Sequence, residues 1–126
     1  VTQGKMAQAG LLQMPIEGKT AITKFKVLKS VPSLRSGQLN SVSCKIETGR
    51  THQIRKHFSS IGHPILGDKE YGQAGNVLLG KGMFLCAYKI SFVHPVTKIS
   101  HKIESDPPKK FVSQLHREKG RFAKFR

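Results

Sequence analysis

The sequence contains no tryptophan and few acidic residues, and both features limit the size of the core and the kinds of partner that the chain can have. Hydrophobic residues make up 37% of the 126 positions, so one small core is possible but thin. Seven acidic side chains stand against 22 lysines and arginines, which gives a formal net charge of +15. Such an imbalance indicates contact with RNA or another polyanion. A basic surface without function is the simpler alternative.

Cysteine is scarce as well. Cys44 and Cys86 lie far apart in apolar segments, and no CxxC pair is present. This excludes the usual zinc spacing and favours free thiols in a reducing, intracellular compartment, either a bacterial cytoplasm or an organelle matrix. The six histidines show no spacing typical of a metal site. We therefore expect no metal site. No segment has the length and apolarity of a membrane span or a secretory signal, so we expect no membrane partner either.

One segment, residues 47–72, carries most of the chemically distinctive side chains. It reads ETGRTHQIRKHFSSIGHPILGDKEYG. Gly49 permits a chain reversal, and Thr51 is the predicted N-cap of a helix that Gly62 and Pro64 end. The predicted apolar stripe of this helix consists of Ile54, Phe58 and Ile61.

The same helix is crowded with cations and hydrogen-bond donors, which helical periodicity does not explain. These residues are Arg50, His52, Gln53, Arg55, Lys56 and His57. From the spacing of the apolar residues alone, the simpler interpretation is a surface helix whose charges face water and bind nothing. The choice of residues instead favours a surface for phosphates or base edges, because arginine forks and glutamine amides suit both.

The segment resembles the signature of the RluA-type RNA pseudouridine synthases, which isomerise uridine to pseudouridine in ribosomal or transfer RNA. TGRTHQIR, GHP, GD and YG occur in the order and spacing of that family. The resemblance extends more loosely over residues 18–115. It implies an α+β fold, with a mostly antiparallel or mixed sheet and one or two packed helices, as part of a pseudouridine-synthase catalytic domain. It also implies that no metal or organic cofactor is needed.

One part of the family pattern is missing. The family's catalytic aspartate lies in a His-Arg-Leu-Asp loop, which these 126 residues do not contain. Asp68 and Asp106 are the only aspartates, and neither has that context. We interpret Asp68 and Tyr71 as structural residues of a turn that holds the preceding helix. The resemblance places Arg55 where the family has the arginine partner of the aspartate, and the alternative role is an ordinary rim charge.

The resemblance also implies a shell of RNA-contacting residues around Arg55. Its predicted members are Arg50, Thr51, His52, Gln53 and Lys56. Further RNA contacts are predicted near the C-terminus at Lys109, Lys110, Arg117, Arg121 and Lys124. The last ten residues are basic with two interleaved phenylalanines, which is typical of a tail that is disordered alone and orders on RNA. A plain solvated tail is the alternative.

The chain divides into three parts by pattern. Residues 1–17 are weakly periodic and are expected to form a loosely ordered connector with a short helical piece at residues 7–12. Residues 18–117 are expected to form the partial synthase domain, and residues 118–126 the basic tail. Alternation of apolar and polar residues predicts strands at residues 20–29, 39–46, 83–93 and 98–104. The last two strands would form a hairpin with one buried face.

Two further elements are predicted. Asp106 is the expected cap of a last helix, with the two following prolines in its first turn. The residues that would pack this helix on the sheet are Phe111, Val112 and Leu115. Residues 73–81 are glycine-rich and are expected to form a mobile connector, because no P-loop pattern is present.

Three functions agree with these patterns. The chain is part of a pseudouridine synthase whose aspartate-bearing half is supplied by a second polypeptide or segment. Alternatively, it is a catalytically inert relative that binds RNA in the structure or assembly of a ribosome or its precursor. The third option, an unrelated basic RNA-binding module, is weakest because the motif is long. If the chain is part of a pseudouridine synthase, its expected partner is ribosomal or transfer RNA.

Overall fold

The computed structural model describes residues 1–72 and 82–125, apart from the side chain of Phe125. The connector predicted at residues 73–81 lies outside these described residues. The elements are β1 (Thr2–Gln3), β2 (Ala9–Leu12), β3 (Thr23–Ser33), β4 (Gly37–Ile46), α1 (Gln53–Ser60), β5 (Lys89–Val93), β6 (Ser100–Glu104) and α2 (Lys109–Phe125). Antiparallel sheets with two helices form an α+β fold, which confirms the predicted class.

The main sheet has four antiparallel strands in the order β1-β4-β3-β2. The long pair β3–β4 follows from alternation in the sequence, because Thr23, Phe25 and Val27 are buried while the residues between them are exposed. The first predicted strand is therefore present, although it begins at Thr23 and continues to Ser33. A register shift between Val27 and Lys29 interrupts the ladder.

The N-terminal segment belongs to the sheet, so the prediction of a loosely ordered connector was wrong. β1 pairs with β4, and β2 pairs with β3 along residues 23–26. Residues 9–12 thus form an edge strand and not a helical piece. Gly10 lies close to the ring of Phe25, where an added Cβ would come within 2.7 Å of a ring carbon. The segment looked irregular in the sequence because Leu12 is the only buried residue of β2.

Two apolar clusters lie on opposite sides of the sheet. The first contains Val1, Val31, Leu39, Leu66, Phe84 and Leu115. The second contains Leu12, Phe25, Phe58 and Ile65. Ile65 and its neighbour Leu66 belong to different clusters, so the chain passes between the two sides at this point. Helix α1 joins the second cluster through Phe58, and helix α2 joins the first through Leu115.

Helix α2 differs from its prediction at both ends. It begins at Lys109, so Asp106 and the prolines precede its first turn. It continues to residue 125, so residues 118–125 are helical and not a separate tail. Glu118 explains this continuation, because its buried carboxylate accepts hydrogen bonds from Ser33 Oγ and Gln114 Nε2, both at 3.2 Å. Phe111 and Leu115 pack on the sheet as predicted, whereas Val112 is exposed.

The hairpin β5–β6 is present, but the buried face predicted for it is not. All ten residues of the two strands are exposed. Tyr88 anchors the base of the hairpin, since its hydroxyl lies 2.8 Å from Ser43 Oγ and its carbonyl accepts from Ser105 N at 2.7 Å. Neither helix in the described part of the chain has the length and apolarity needed to cross a membrane.

Candidate functional site

The turn before helix α1 is held by the buried side chain of Gln53. Its Oε1 accepts hydrogen bonds from Thr48 Oγ1 at 2.7 Å and from Arg50 N at 3.1 Å. Its Nε2 donates to Ile22 O at 2.8 Å and to Thr23 Oγ1 at 3.0 Å. All the bonds of this amide are therefore made inside the protein. The structure contradicts an RNA contact for Gln53 and gives it the task of shaping the turn.

Helix α1 begins without the cap predicted for it. Thr51 is exposed and lies outside the helix, while His52 occupies the N-cap position with φ 52° and makes no capping hydrogen bond. This left-handed conformation is uncommon outside glycine, although histidine is among the residues enriched in it. It places the His52 ring beside Tyr71, with Nδ1 3.0 Å from the phenolic oxygen. At the other end, Gly62 adopts φ 82° just after the helix, in agreement with the predicted stop.

Arg55 forms a two-bond ion pair with Asp68. Arg55 Nε donates to Oδ2 and Nη2 donates to Oδ1, both at 2.9 Å. Nη2 also lies 3.4 Å from Glu70 Oε2, and the guanidinium carbon lies 4.9 Å from the centre of the Tyr71 ring. The Asp68 side chain is 0% exposed and that of Arg55 is 15% exposed. Together with His52, these residues are called the Arg55 cluster below.

Asp68 is a structural carboxylate. Besides the bonds from Arg55, its Oδ1 accepts from the backbone N–H groups of Glu70 and Tyr71, both at 3.0 Å. The hydrogen bond from Arg55 holds the pKa of Asp68 below its ordinary value, with help from these two N–H groups and against the effect of burial. The same pair raises the pKa of Arg55. Asp68 therefore stays ionised and enclosed, which agrees with the structural role expected for it.

This pairing adds to the sequence prediction, because Arg55 already has one carboxylate partner within the chain. The sequence shows the Gly-Asp of the motif, but it does not show that the fold brings Asp68 against Arg55 on helix α1. Among residues 1–72 and 82–125, the hydrogen bonds of Arg55 use Nε and Nη2 and leave Nη1 unused. Asp68 thus fixes the guanidinium plane, and among the described residues Nη1 is the nitrogen of this guanidinium that has no hydrogen bond.

The other predicted contacts near Arg55 differ in how exposed they are. Thr51 and His52 are exposed. Arg50 is half-buried, and its Nε donates to Thr20 O at 2.8 Å. Lys56 is half-buried and lies 3.7 Å from Glu17 Oε1. These four residues occupy the turn and the start of helix α1, where Arg50 bonds to Thr20, Lys56 lies near Glu17, and His52 shares Tyr71 and Glu70 with Arg55.

The C-terminal cations form a separate group. All of them lie on helix α2 and are exposed: Lys109, Lys110, Arg117, Arg121 and Lys124. Lys110 Nζ donates to Met83 O at 3.2 Å and lies 4.7 Å from the centre of the Phe84 ring. Because α1 and α2 pack on opposite sides of the sheet, the two predicted groups do not form one site. An RNA that contacts both must extend around the domain.

His57 has a structural role as well. Its ring nitrogens lie 2.8 Å from Thr23 Oγ1 and 2.8 Å from Met14 O, and the ring is buried. In the described part of the chain, no three His, Cys, Asp or Glu side chains form a group that could hold a metal ion. Cys44 and Cys86 are both free thiols.

Comparison with known proteins places this geometry in a family. A family model described as RNA pseudouridylate synthase matches residues 8–60. An uncharacterized RNA pseudouridine synthase of Aquifex aeolicus is 41% identical over 104 residues, which cover 77% of this chain and 32% of that protein. The dual-specificity RNA pseudouridine synthase RluA of Haemophilus influenzae is 40% identical over 82 residues, covering 64% of this chain and 35% of RluA. The chain belongs to the RluA-type RNA pseudouridine synthase family.

The fold agrees with this family. The solved structure of human RNA Pseudouridylate Synthase Domain Containing 1 has a TM-score of 0.70 and 22% identity, covering 91% of this chain and 62% of that chain. The family match starts at residue 8, inside the segment that the sequence had indicated to be a connector, and includes β2. The chain spans about a third of the length of the two curated relatives, at 32% and 35%.

Proposed function

We propose that this chain supplies the arginine-bearing, RNA-binding side of a uridine pocket in a pseudouridine synthase that acts on ribosomal or transfer RNA. The observation that carries the proposal is the Arg55–Asp68 pair. It holds one guanidinium in a fixed plane within the family motif, next to a turn with two exposed polar residues, Thr51 and His52, and the half-buried Arg50. An ordinary rim charge would not need a fully enclosed carboxylate to orient it.

The chemistry of the reaction explains the need for such an arginine. The uridine must leave its stack, since neither its glycosidic carbon nor its C6 is accessible inside a helix. An aspartate carboxylate then acts as nucleophile or base, the bond between the sugar C1′ and N1 breaks, the uracil rotates, and a bond from C1′ to C5 forms. C5 loses its proton and N1 gains one, so the product is an isomer of uridine. No metal or organic cofactor is required. Burial in a cleft without water disfavours the ionised carboxylate, and a guanidinium beside it restores that form and directs it.

In this chain the guanidinium is that of Arg55, and the N–H edge that faces the reacting aspartate is Nη1. Asp68 cannot be that aspartate, because all of its side chain is enclosed and committed to Arg55 and the turn. Asp106 lies just before helix α2 and outside the Arg55 cluster. The reacting aspartate therefore comes from a segment or a second polypeptide outside these 126 residues.

RNA binding rests on charge and exposure. Thr51 and His52 present polar groups at the turn, with Arg50 and Lys56 beside them, and the chain carries a net charge of +15. The exposed cations of helix α2 extend the contact to phosphates on the other side of the sheet. The free cysteines support a reducing compartment as the place of action.

The proposal is tested by mapping pseudouridine chemically in ribosomal and transfer RNA transcripts. The chain is incubated alone, and then with the part of the Aquifex aeolicus relative that lies outside the matched 104 residues. We expect no conversion by the chain alone and conversion in the mixture. Conversion by the chain alone would refute the claim that the reacting aspartate lies elsewhere.

A second candidate function is an inert relative that binds RNA in the structure or assembly of a ribosome. It is favoured by Asp68, which already neutralises Arg55 without any further acid. The same assay separates the two functions. RNA binding without conversion, both alone and in the mixture, would favour the inert relative.

A further inference from the structure

The hairpin β5–β6 is amphipathic, and its apolar side has no cover in the described part of the chain. Ile90 pairs directly with Ile103, and Phe92 pairs with His101 on the same side. The rings of Phe92 and His101 stack with centroids 5.1 Å apart. The opposite side of the hairpin carries Lys89, Ser91, Val93, Ser100, Lys102 and Glu104.

This pattern is that of a sheet with one face in a protein core. Yet Ile90 is 56% exposed, Phe92 43% and Ile103 59%. An isolated two-stranded hairpin is marginally stable in water, so such a face is expected to bury itself against something else. Tyr88 fixes only the base of the hairpin to β4, through the hydroxyl of Ser43.

Building on the proposed function, we propose that the side of the hairpin formed by Ile90, Phe92, His101 and Ile103 is the docking surface for the aspartate-bearing part of the synthase. The relatives supply the reason to choose this occupant, because the chain spans only 32% and 35% of two of them. The occupant presents an apolar face to these residues. Docking there brings the missing carboxylate onto the same structural unit as Arg55.

Two other occupants fit the observations less well. A second copy of this chain would bring two net charges of +15 together, which opposes association. RNA would be attracted to Lys89 and Lys102, but these side chains lie on the opposite side of the hairpin from Ile90 and Ile103. The side chains of Ile90 and Ile103 have no group that could bind a phosphate.

The proposal is tested by thiol reactivity in two proteins. One is the 126-residue chain. The other is a chimera in which this chain replaces the matched region of the Aquifex aeolicus relative. In both, Cys44 and Cys86 are replaced by alanine and a single cysteine is introduced by Ile103→Cys or, as control, by Val93→Cys. The two positions are matched, since Ile103 is 59% exposed and Val93, on the opposite side, is 58% exposed.

We expect Ile103→Cys to react at least tenfold more slowly in the chimera than in the chain, while Val93→Cys reacts at similar rates in both. Equal rates for Ile103→Cys would overturn the proposal. So would protection of Ile103→Cys in the chain alone that grows with its concentration, which indicates a second copy. Protection by added RNA in the chain alone would also overturn it.

A second measurement guards against a chimera that folds poorly. Ile103→Asp should lower the melting temperature of the chimera and leave that of the chain unchanged, whereas Val93→Asp should change neither. A chimera without cooperative melting in its unsubstituted form also contradicts docking at this surface. Neither measurement requires turnover, and RNA enters only as a competing occupant, so failure here and failure of the proposed function are distinguishable.

Discussion

The guanidinium of Arg55 and the carboxylate of Asp68 share two hydrogen bonds of 2.9 Å, which join helix α1 to the turn that follows it. The turn is completed by the same carboxylate, because it accepts from the N–H groups of Glu70 and Tyr71. One side chain thus orients the arginine and shapes the backbone around it. An arginine held this way loses little further freedom when it binds an anion.

Asp68→Asn should lower the free energy of unfolding by about 3 kcal/mol, since it removes the enclosed counter-ion of Arg55 and leaves only the exposed carboxylate of Glu70 near the guanidinium. Urea denaturation followed by circular dichroism measures the loss. Glu47→Gln is the control, because it removes a carboxylate from an exposed pair with Lys24 at 2.8 Å. That variant should unfold at the same urea concentration as the wild type. Equal midpoints for both variants would contradict the structural role of Asp68.

The pH dependence of stability should report on the same pair. Asp68 has a lowered pKa in the folded chain and an ordinary pKa, near 3.8, in the unfolded chain. Its contribution is therefore complete above about pH 5 and is lost as the pH falls through the ordinary value towards the lowered one. Wild type should lose stability more steeply in this window than Asp68→Asn, so that the two curves converge in acid. Parallel curves would show that the carboxylate does not carry this effect.

Gln53→Ala should destabilise the chain by about 2 kcal/mol or more, because it leaves buried hydrogen-bonding groups in the turn and on β3 without a partner. Thr51→Ala, two residues earlier and exposed, should stay within about 0.5 kcal/mol of the wild type. Thermal and urea unfolding of the two variants gives the comparison. A neutral Gln53→Ala together with weakened RNA binding would restore the role that the sequence had indicated for this residue.

RNA binding should weaken as salt rises, because phosphate contacts release counterions. Replacing both Arg117 and Arg121 by alanine should reduce the slope of log K against log salt by about 1 to 2 if each contacts a phosphate. Lys98→Asn, at an exposed position with φ 60° that asparagine tolerates, is a control for loss of charge. Fluorescence anisotropy with a labelled transcript measures both. A slope that does not change in the double variant would exclude phosphate contacts by Arg117 and Arg121.

The features that could be predicted from the sequence are those with a local signal. The first half of β3 alternates, with Thr23, Phe25 and Val27 inside and Lys24 and Lys26 outside, so the period of this strand was visible up to the register shift after Val27. Gly62 stops helix α1 because its φ of 82° favours glycine. By contrast, β2 buries only Leu12, and an edge strand with so little apolar alternation has no period to detect.

The features that could not be predicted depend on partners distant in sequence. Gln53 bonds to Thr23 on β3, 30 positions away, and a sequence shows the amide without showing what it meets. In the same way, Glu118 looked like part of a charged tail until Ser33 was found beside it. The motif identified the family and the position of Arg55, whereas the roles of Gln53 and Asp68 required the fold.

The most direct test of the account is the single-turnover rate of pseudouridine formation in the mixture with the aspartate-bearing part of the Aquifex aeolicus relative. Arg55→Lys keeps the charge but loses the planar fork, and it should lower the rate by about 100-fold or more while RNA affinity is retained. Lys26→Arg, at an exposed position on β3 outside the Arg55 cluster, should leave the rate unchanged. An Arg55→Lys mixture that converts uridine at the wild-type rate would contradict the claim that Arg55 orients the reacting carboxylate.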